Sequence, residues 1–192
     1  MNDRAWVKMV ACMSLDGRIS TAEDSSPNQV SKGGWTSAED KEFFNSDLAD
    51  AGMLIVGSRT ANLMPNLGKP VAVVSRDPGI RTKQKGQVGV LLPKPGEILN
   101  FLENNHKTKM MLCGGAATYG LFLQHDLVDQ IVMTIEPVIL QVGPPLAVNG
   151  LFNTQARMNR FELLRVNTLG SSGAVRAVYM RKRHGYGDKR EA

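Results

Sequence analysis

Six short apolar runs dominate the chain: WVKMVACM (6–13), MLIVG (53–57), VAVVS (71–75), VGVLL (88–92), KMMLC (109–113) and QIVMTIEPVIL (130–140). Several are apolar throughout instead of alternating, the pattern of strands covered on both faces in a parallel sheet. The stretches between them start and stop as helices do. SAEDKEFFNSDLADAG offers Ser37 as an N-cap, Glu39 and Asp40 in the first turn, and Gly52 as a stop. PGEILNFLENNH, from Pro95 to His106, predicts a second helix, and AATYGLFLQHD predicts a third. Near the end, FELLRVNTLGSSGAVRAVYMRK reads as two strands joined by a Gly/Ser turn. Alternating strands and helices followed by a C-terminal antiparallel hairpin predict an α/β domain with a mostly parallel, mixed sheet flanked by helices.

At 192 residues the chain is long enough for one domain with one sizeable core. No apolar run approaches the roughly 20 residues that span a bilayer, and no charged leader precedes a long apolar segment, so a cytoplasmic location without membrane partners is expected. The net charge of +5 is unevenly placed. Residues 181–192 (RKRHGYGDKREA) hold five basic against two acidic residues, which leaves the other 180 nearly neutral. With no aromatic interleaving or basic helix beside it, this segment reads as a solvated tail and not as a nucleic-acid interface. One domain over 1–183 and a disordered basic tail over 184–192 are expected. Cys12 and Cys113 lie in or at the ends of strand-like runs and read as reduced thiols. His106, His125 and His184 have no ligand-like spacing, so no metal is expected.

In a sheet of this kind ligands bind beyond the carboxyl ends of the strands, so the residues just past each strand carry the functional information. After KMML comes CGGAATYG. Gly114 and Gly115 let a ligand approach the backbone, and the next helix presents free N–H groups and a positive dipole end to a phosphate; the alternative is a tight strand-to-helix turn, with Gly120 serving close packing. After MLIV comes Gly57-Ser58-Arg59-Thr60, which offers two hydroxyls and a cation at a helix start, or simply a cap. After VAVV comes Ser75-Arg76, a hydroxyl and a guanidinium suited to a 2′-phosphate, or an exposed arginine opening a loop. Ser14-Leu15-Asp16-Gly17 succeeds the first strand, either as a tight turn or as a contributor to the same edge.

Taken in order, MSLDGRIS, GSRT, VVSR and LCGGAATYGLFLQHDLVDQIVMTIEPVILQVG resemble the reductase domain of bacterial riboflavin biosynthesis, the C-terminal half of RibD, and its stand-alone relatives. The resemblance covers roughly residues 6 to 180. It implies the dihydrofolate reductase-like fold and NADPH as cofactor. It also implies site roles: Gly114, Gly115, Ala116, Ala117, Thr118, Tyr119 and Gly120 around the cofactor diphosphate, Thr60 on the cofactor, and Ser75 at the 2′-phosphate. Trp35 would lie against the cofactor, with Cys12, Met13 and Asp16 beside the nicotinamide.

The substrate side departs from the pattern. Family members carry a serine two residues before the tryptophan, an arginine late in the next helix, an acidic LADDP-like turn and a glutamate before the glycine loop. This chain has Gly33, Leu48, Ala61-Asn62-Leu63-Met64-Pro65 and Cys113 there. The resemblance therefore implies hydride transfer to a C=N bond of a pyrimidine or a pterin, and leaves open a ribosylaminouracil phosphate, a dihydropterin, or a cofactor-binding domain without catalysis. Asp16 is the expected catalytic and substrate-orienting carboxylate, and Cys113 a substrate-side residue. No H-x-E with a PCxxC zinc signature occurs, so no deaminase site is expected. A homodimer is expected by the same resemblance.

Overall fold

The computed structural model describes residues 4–21, 34–148 and 161–182. Among these residues eight strands form one sheet: β1 (Trp6–Ser14), β2 (Met53–Gly57), β3 (Val71–Val74), β4 (Gln87–Leu91), β5 (Lys109–Leu112), β6 (Gln130–Glu136), β7 (Phe161–Leu169) and β8 (Ala174–Arg181). Four helices among the described residues accompany them: α1 (Ala38–Asp50), α2 (Ser58–Leu63), α3 (Pro95–Asn104) and α4 (Ala116–Gln124). The strand order is β4-β3-β2-β5-β1-β6-β8-β7. The six strands from β4 to β6 run parallel, and β8 and β7 add antiparallel pairings at one side. The mixed sheet and its C-terminal hairpin are therefore as the sequence predicts. The run 130–140 is shorter than expected, because β6 ends at Glu136 and Pro137 has no N–H to continue the ladder.

Alternation along β1 divides the core. Val7, Met9 and Ala11 face one side, where Ile98 and Leu102 of α3 and Leu121 and Phe122 of α4 cover them. Val10, with Leu54, Val56, Val73 and Met111, faces the other, under Ala61 of α2 and the partly buried Phe44 and Leu48 of α1. Asp129 pins the first strand: its carboxylate accepts two hydrogen bonds from Arg4, at 2.8 and 2.9 Å, and one from the Val7 N–H.

Helix α1 is held differently from α3. Its buried side chain is Asp47, not an apolar residue. Asp47 receives Arg176 of β8 at 2.6 Å and Lys8 of β1 at 3.1 Å, and Arg176 also lies 4.6 Å from the centre of the Phe43 ring. Ser37 caps the helix, accepting from the Asp40 N–H at 3.2 Å, while its own N–H and hydroxyl both donate to Glu136 at 2.7 Å. A charged seam thus replaces the apolar stripe that anchors most surface helices.

Removing one member of a buried ion cluster strands the others, so Asp47→Ala should destabilise the protein by about 3–5 kcal/mol. Urea unfolding checks it. A change within about 0.5 kcal/mol, the range of ordinary surface substitutions, would contradict the seam's role.

Candidate functional site

The carboxyl ends of β2, β3 and β5 open on a single cavity of about 700 Å³. β5 lies between β2 and β1 although it comes after both in sequence, so the chain reverses its direction of travel across the sheet there. Such a reversal leaves a crevice beyond the strand ends.

Two of these ends meet at close quarters. The Gly57 N–H donates to the Gly114 carbonyl at 2.7 Å, and a Cβ on Gly57 would lie 2.7 Å from the Thr118 hydroxyl oxygen. Gly114 has φ of +100°, a region that favours glycine, and the Gly114–Gly115 peptide is cis. Behind it, Tyr119 is buried and donates its hydroxyl to the Val10 carbonyl at 2.6 Å. Helix α4 then begins at Ala116, with the first-turn N–H groups of Ala116 and Ala117 lacking intrahelical acceptors at the cavity wall. The exposed Arg59 and Arg76 line the same cavity, as do Ser58, Thr60 and Ser75. A helix start and two guanidiniums in one cavity suit a ligand carrying several phosphate charges.

Most of the residues expected from the sequence converge here. Trp35, Gly57, Ser58, Arg59, Thr60, Ser75, Arg76, Cys113, Gly114, Gly115, Ala116, Ala117, Thr118 and Tyr119 all line the cavity. Met13, Asp16 and Gly120 do not. Gly120 packs where a Cβ would run into the Val148 backbone, so it serves close packing. Asp16 is clipped elsewhere: its carboxylate accepts from the Ser14 hydroxyl at 2.6 Å and from the Leu140 and Gln141 N–H groups at 3.0 and 2.9 Å. It ties the turn after β1 to the segment after β6. These donors, the Ser14 hydroxyl above all, hold its carboxyl below the usual carboxylate range.

A second group of polar side chains at the cavity has no motif to announce it. Cys12 on β1 and Asp40 on α1 line the cavity, and their ligand atoms and one from Glu136 on β6 lie within 4.8 Å of one another. Burial raises the Asp40 carboxyl, and the Glu136 charge adds to it, against hydrogen bonds from Thr134 and Cys12 and the charge of Arg176. Burial first, then the Asp40 and Glu136 charges, push the Cys12 thiol far above its ordinary value. Burial pushes Cys113 up to about 12, and it also raises the Tyr119 phenol. A thiol and two carboxylates could in principle hold a divalent cation. Here the thiol resists deprotonation, and one Glu136 oxygen already accepts two hydrogen bonds from Ser37. Sequence reasoning placed Asp40 only as an acid in a first helical turn; its neighbours come from two strands far away in the chain.

Residues 5–173 match the family described as the RibD C-terminal domain. The chain belongs to that family. No curated protein sequence matches it. Among solved structures it is similar to RibD of Acinetobacter baumannii, with a TM-score of 0.69 at 19% identity over 95% of this chain and 59% of that one. It also resembles a pyrimidine reductase-like protein of Corynebacterium diphtheriae, with a TM-score of 0.67 at 18% identity, covering 93% and 92% of the two chains. Dihydrofolate reductase of Enterococcus faecalis, complexed with NADP(H) and RAB-propyl, gives a TM-score of 0.66 at 14% identity over 93% and 97% of the two chains. The fold is thus dihydrofolate reductase-like. Among the described residues, no helix is long and apolar enough to cross a membrane.

Asp16 gives a pH test of its clip. Its folded pKa is lowered, so its contribution is present above the unfolded value of about 3.9 and is lost as pH falls through the folded value. Asp16→Asn should flatten the acid limb of the stability curve. Wild-type and variant curves that run parallel from neutral to acid pH would contradict the clip.

Proposed function

We propose that the chain is an NADPH-dependent reductase of the riboflavin-biosynthesis type, transferring a hydride to a C=N bond of a pyrimidine- or pterin-related small molecule. The observation that carries this reading is the convergence of three strand ends and the α4 N-terminus on one cavity, whose lining holds Arg59, Arg76, several hydroxyls and the carboxyl group of Asp40. The residues present fit the cofactor. Gly57 and Gly114 bring the backbone of two strand ends together beside the α4 start, which receives a diphosphate. Ser75, Arg76 and Arg59 supply hydroxyl and guanidinium donors for a 2′-phosphate, which NADH lacks. Trp35 offers an aromatic wall. When bound, the dihydronicotinamide supplies the hydride, and the protein orients both partners and limits water access.

Within this class the favoured substrate is 5-amino-6-(5-phosphoribosylamino)uracil or a close relative, by family membership. A dihydropterin is the second reading, and one observation favours it: among the described lining residues the only guanidinium or ammonium groups are Arg59 and Arg76, and Cys12 and Asp40 line the same cavity. A homodimer is part of the proposal. Strand β7 is a sheet edge, and it exposes Leu163, Leu164 and Val166.

Tryptophan fluorescence titrated with NADPH and, separately, NADH tests the cofactor. NADPH should bind ahead of NADH by about 10- to 100-fold, the worth of one charge-assisted hydrogen bond, and Arg76→Ala should narrow that gap. Equal binding of both would overturn the 2′-phosphate assignment, and NADPH bound but never consumed with either substrate would point to a non-catalytic domain. Light scattering should give twice the 20.9 kDa chain mass; a mass of one chain contradicts the dimer.

A further inference from the structure

We propose that Gln84 is a positioning residue for cofactor selectivity: from the β3–β4 loop it grips the end of α2, and so holds Arg59 and Arg76 at the spacing that a 2′-phosphate requires. This rests on the NADPH reading and names the residue that sets the 2′-phosphate end of that site. Gln84 is not part of the cavity lining, so its effect passes through the residues it holds.

Helix α2 needs an outside anchor. It has six residues, of which only Ala61 is buried. A helix that short is unstable alone, and the last carbonyls of any helix lack intrahelical donors. Yet α2 carries Arg59 and Thr60 in the cavity wall, and their positions are only as fixed as the helix. Gln84 supplies the anchor with one amide. It is 4% exposed, and its Nε2 donates to the carbonyls of Ala61 at 2.9 Å, Met64 at 3.1 Å and Pro65 at 3.4 Å. The direction of the amide is forced, because turning it over would set Oε1 against three carbonyl oxygens. Oε1 is buried and has no hydrogen-bond partner. The side chain is thus spent wholly on its donors, at the cost of an unmet acceptor.

The loop that supplies Gln84 is stapled along its length. The Ser75 hydroxyl accepts from the Asp77 N–H at 3.1 Å, and the Asp77 carboxylate accepts from the Gly79 N–H at 2.9 Å. Further on, Gln87 Oε1 accepts from the N–H and the hydroxyl of Thr82, each at 3.0 Å, and Gln87 Nε2 donates to the Ile80 carbonyl at 3.0 Å. Beside Gln84, the Lys83 N–H donates to Asn62 Oδ1 at 3.3 Å, a second and more exposed tie to α2. Ile80 and Met64 pack on the apolar cluster that contains Ala61. Loop and helix therefore form one body, with Arg76 at the start of the loop and Arg59 in the helix. Arg81, Lys83 and Lys85, exposed on the same loop, favour any anion. Telling one phosphate position from another needs donors held in place, which the Gln84 joint provides.

Calorimetry of the full chain with adenosine 2′,5′-bisphosphate and with 5′-AMP isolates the 2′-phosphate from turnover. The wild type should prefer the bisphosphate by about 10- to 100-fold. Gln84→Met keeps the bulk and removes the donors; it should narrow that preference by about tenfold and leave 5′-AMP affinity within about twofold. Asn62→Ala, which cuts only the outer tie, should narrow it less, and it decides the matter if Gln84→Met does not fold. In an Arg76→Ala background Gln84→Met should narrow nothing further, because both changes act on one contact. Amide hydrogen exchange of the unliganded protein should quicken together at Met64, Thr82 and Lys83 in Gln84→Met by at least about tenfold, and stay unchanged at Val7. An undiminished preference in the folded variants, or an equal loss for both nucleotides, overturns the proposal. Should the wild type bind both nucleotides equally, the 2′-phosphate reading fails by itself, and the exchange rates still decide whether Gln84 holds loop and helix together.

Discussion

The contact on which the site depends is the hydrogen bond from the Gly57 N–H to the Gly114 carbonyl, 2.7 Å long, between the ends of β2 and β5. It ties the two strand ends together past the last regular β2–β5 pair, Ile55 with Leu112, and sets the start of α4 beside the start of α2. A side chain at Gly57 would collide with Thr118 at the head of α4, and one at Gly115 would crowd the Thr60 hydroxyl at 3.3 Å. Residues 57–60 and 114–118 can therefore share one wall of one cavity only because the strand ends carry no Cβ. Strand β3 then needs only its position next to β2 to bring Ser75 and Arg76 to the same rim.

The other end of the cavity depends on charge. Helix α1 has a weak apolar face and sits on Lys8, Arg176 and Glu136, which it meets with Asp47 and Ser37. Buried ions stabilise a fold when each has its partner and destabilise it when one is removed. Asp47 has two cations and Glu136 has two donors from Ser37. Asp40, on the same helix, lines the cavity beside the Cys12 thiol, the Thr134 hydroxyl and the Glu136 carboxyl group. The seam that fixes the helix thus also sets a carboxyl group in the cavity wall.

The strands were legible because a strand buried on both faces has little choice of composition: MLIVG gives β2 residue for residue, and the runs for β3 and β5 overshoot by a single residue. The part of the cavity built from strand ends was legible for a related reason. Its residues come directly after strands, so local sequence order reproduces spatial order at the sheet edge. The Cys12, Asp40 and Glu136 group was not legible. Cys12, Asp40 and Glu136 come from three elements, and nothing in the spacing of 12, 40 and 136 indicates contact. Asp16 carried the opposite lesson, since a carboxylate in a quotable motif is spent on backbone N–H groups of Leu140 and Gln141. The basic tail over 184–192 and Gly33 lie outside the described residues.

Amide chemical shifts of the nitrogen-15-labelled protein, recorded as NADPH is added, test the three-ended cofactor site most directly. The largest changes should fall on Gly57 to Thr60, Ser75, Arg76 and Gly114 to Thr118, three separate stretches responding together with one affinity. Changes confined to one of these stretches, or centred on the β7 edge, would contradict a cofactor site built from three strand ends.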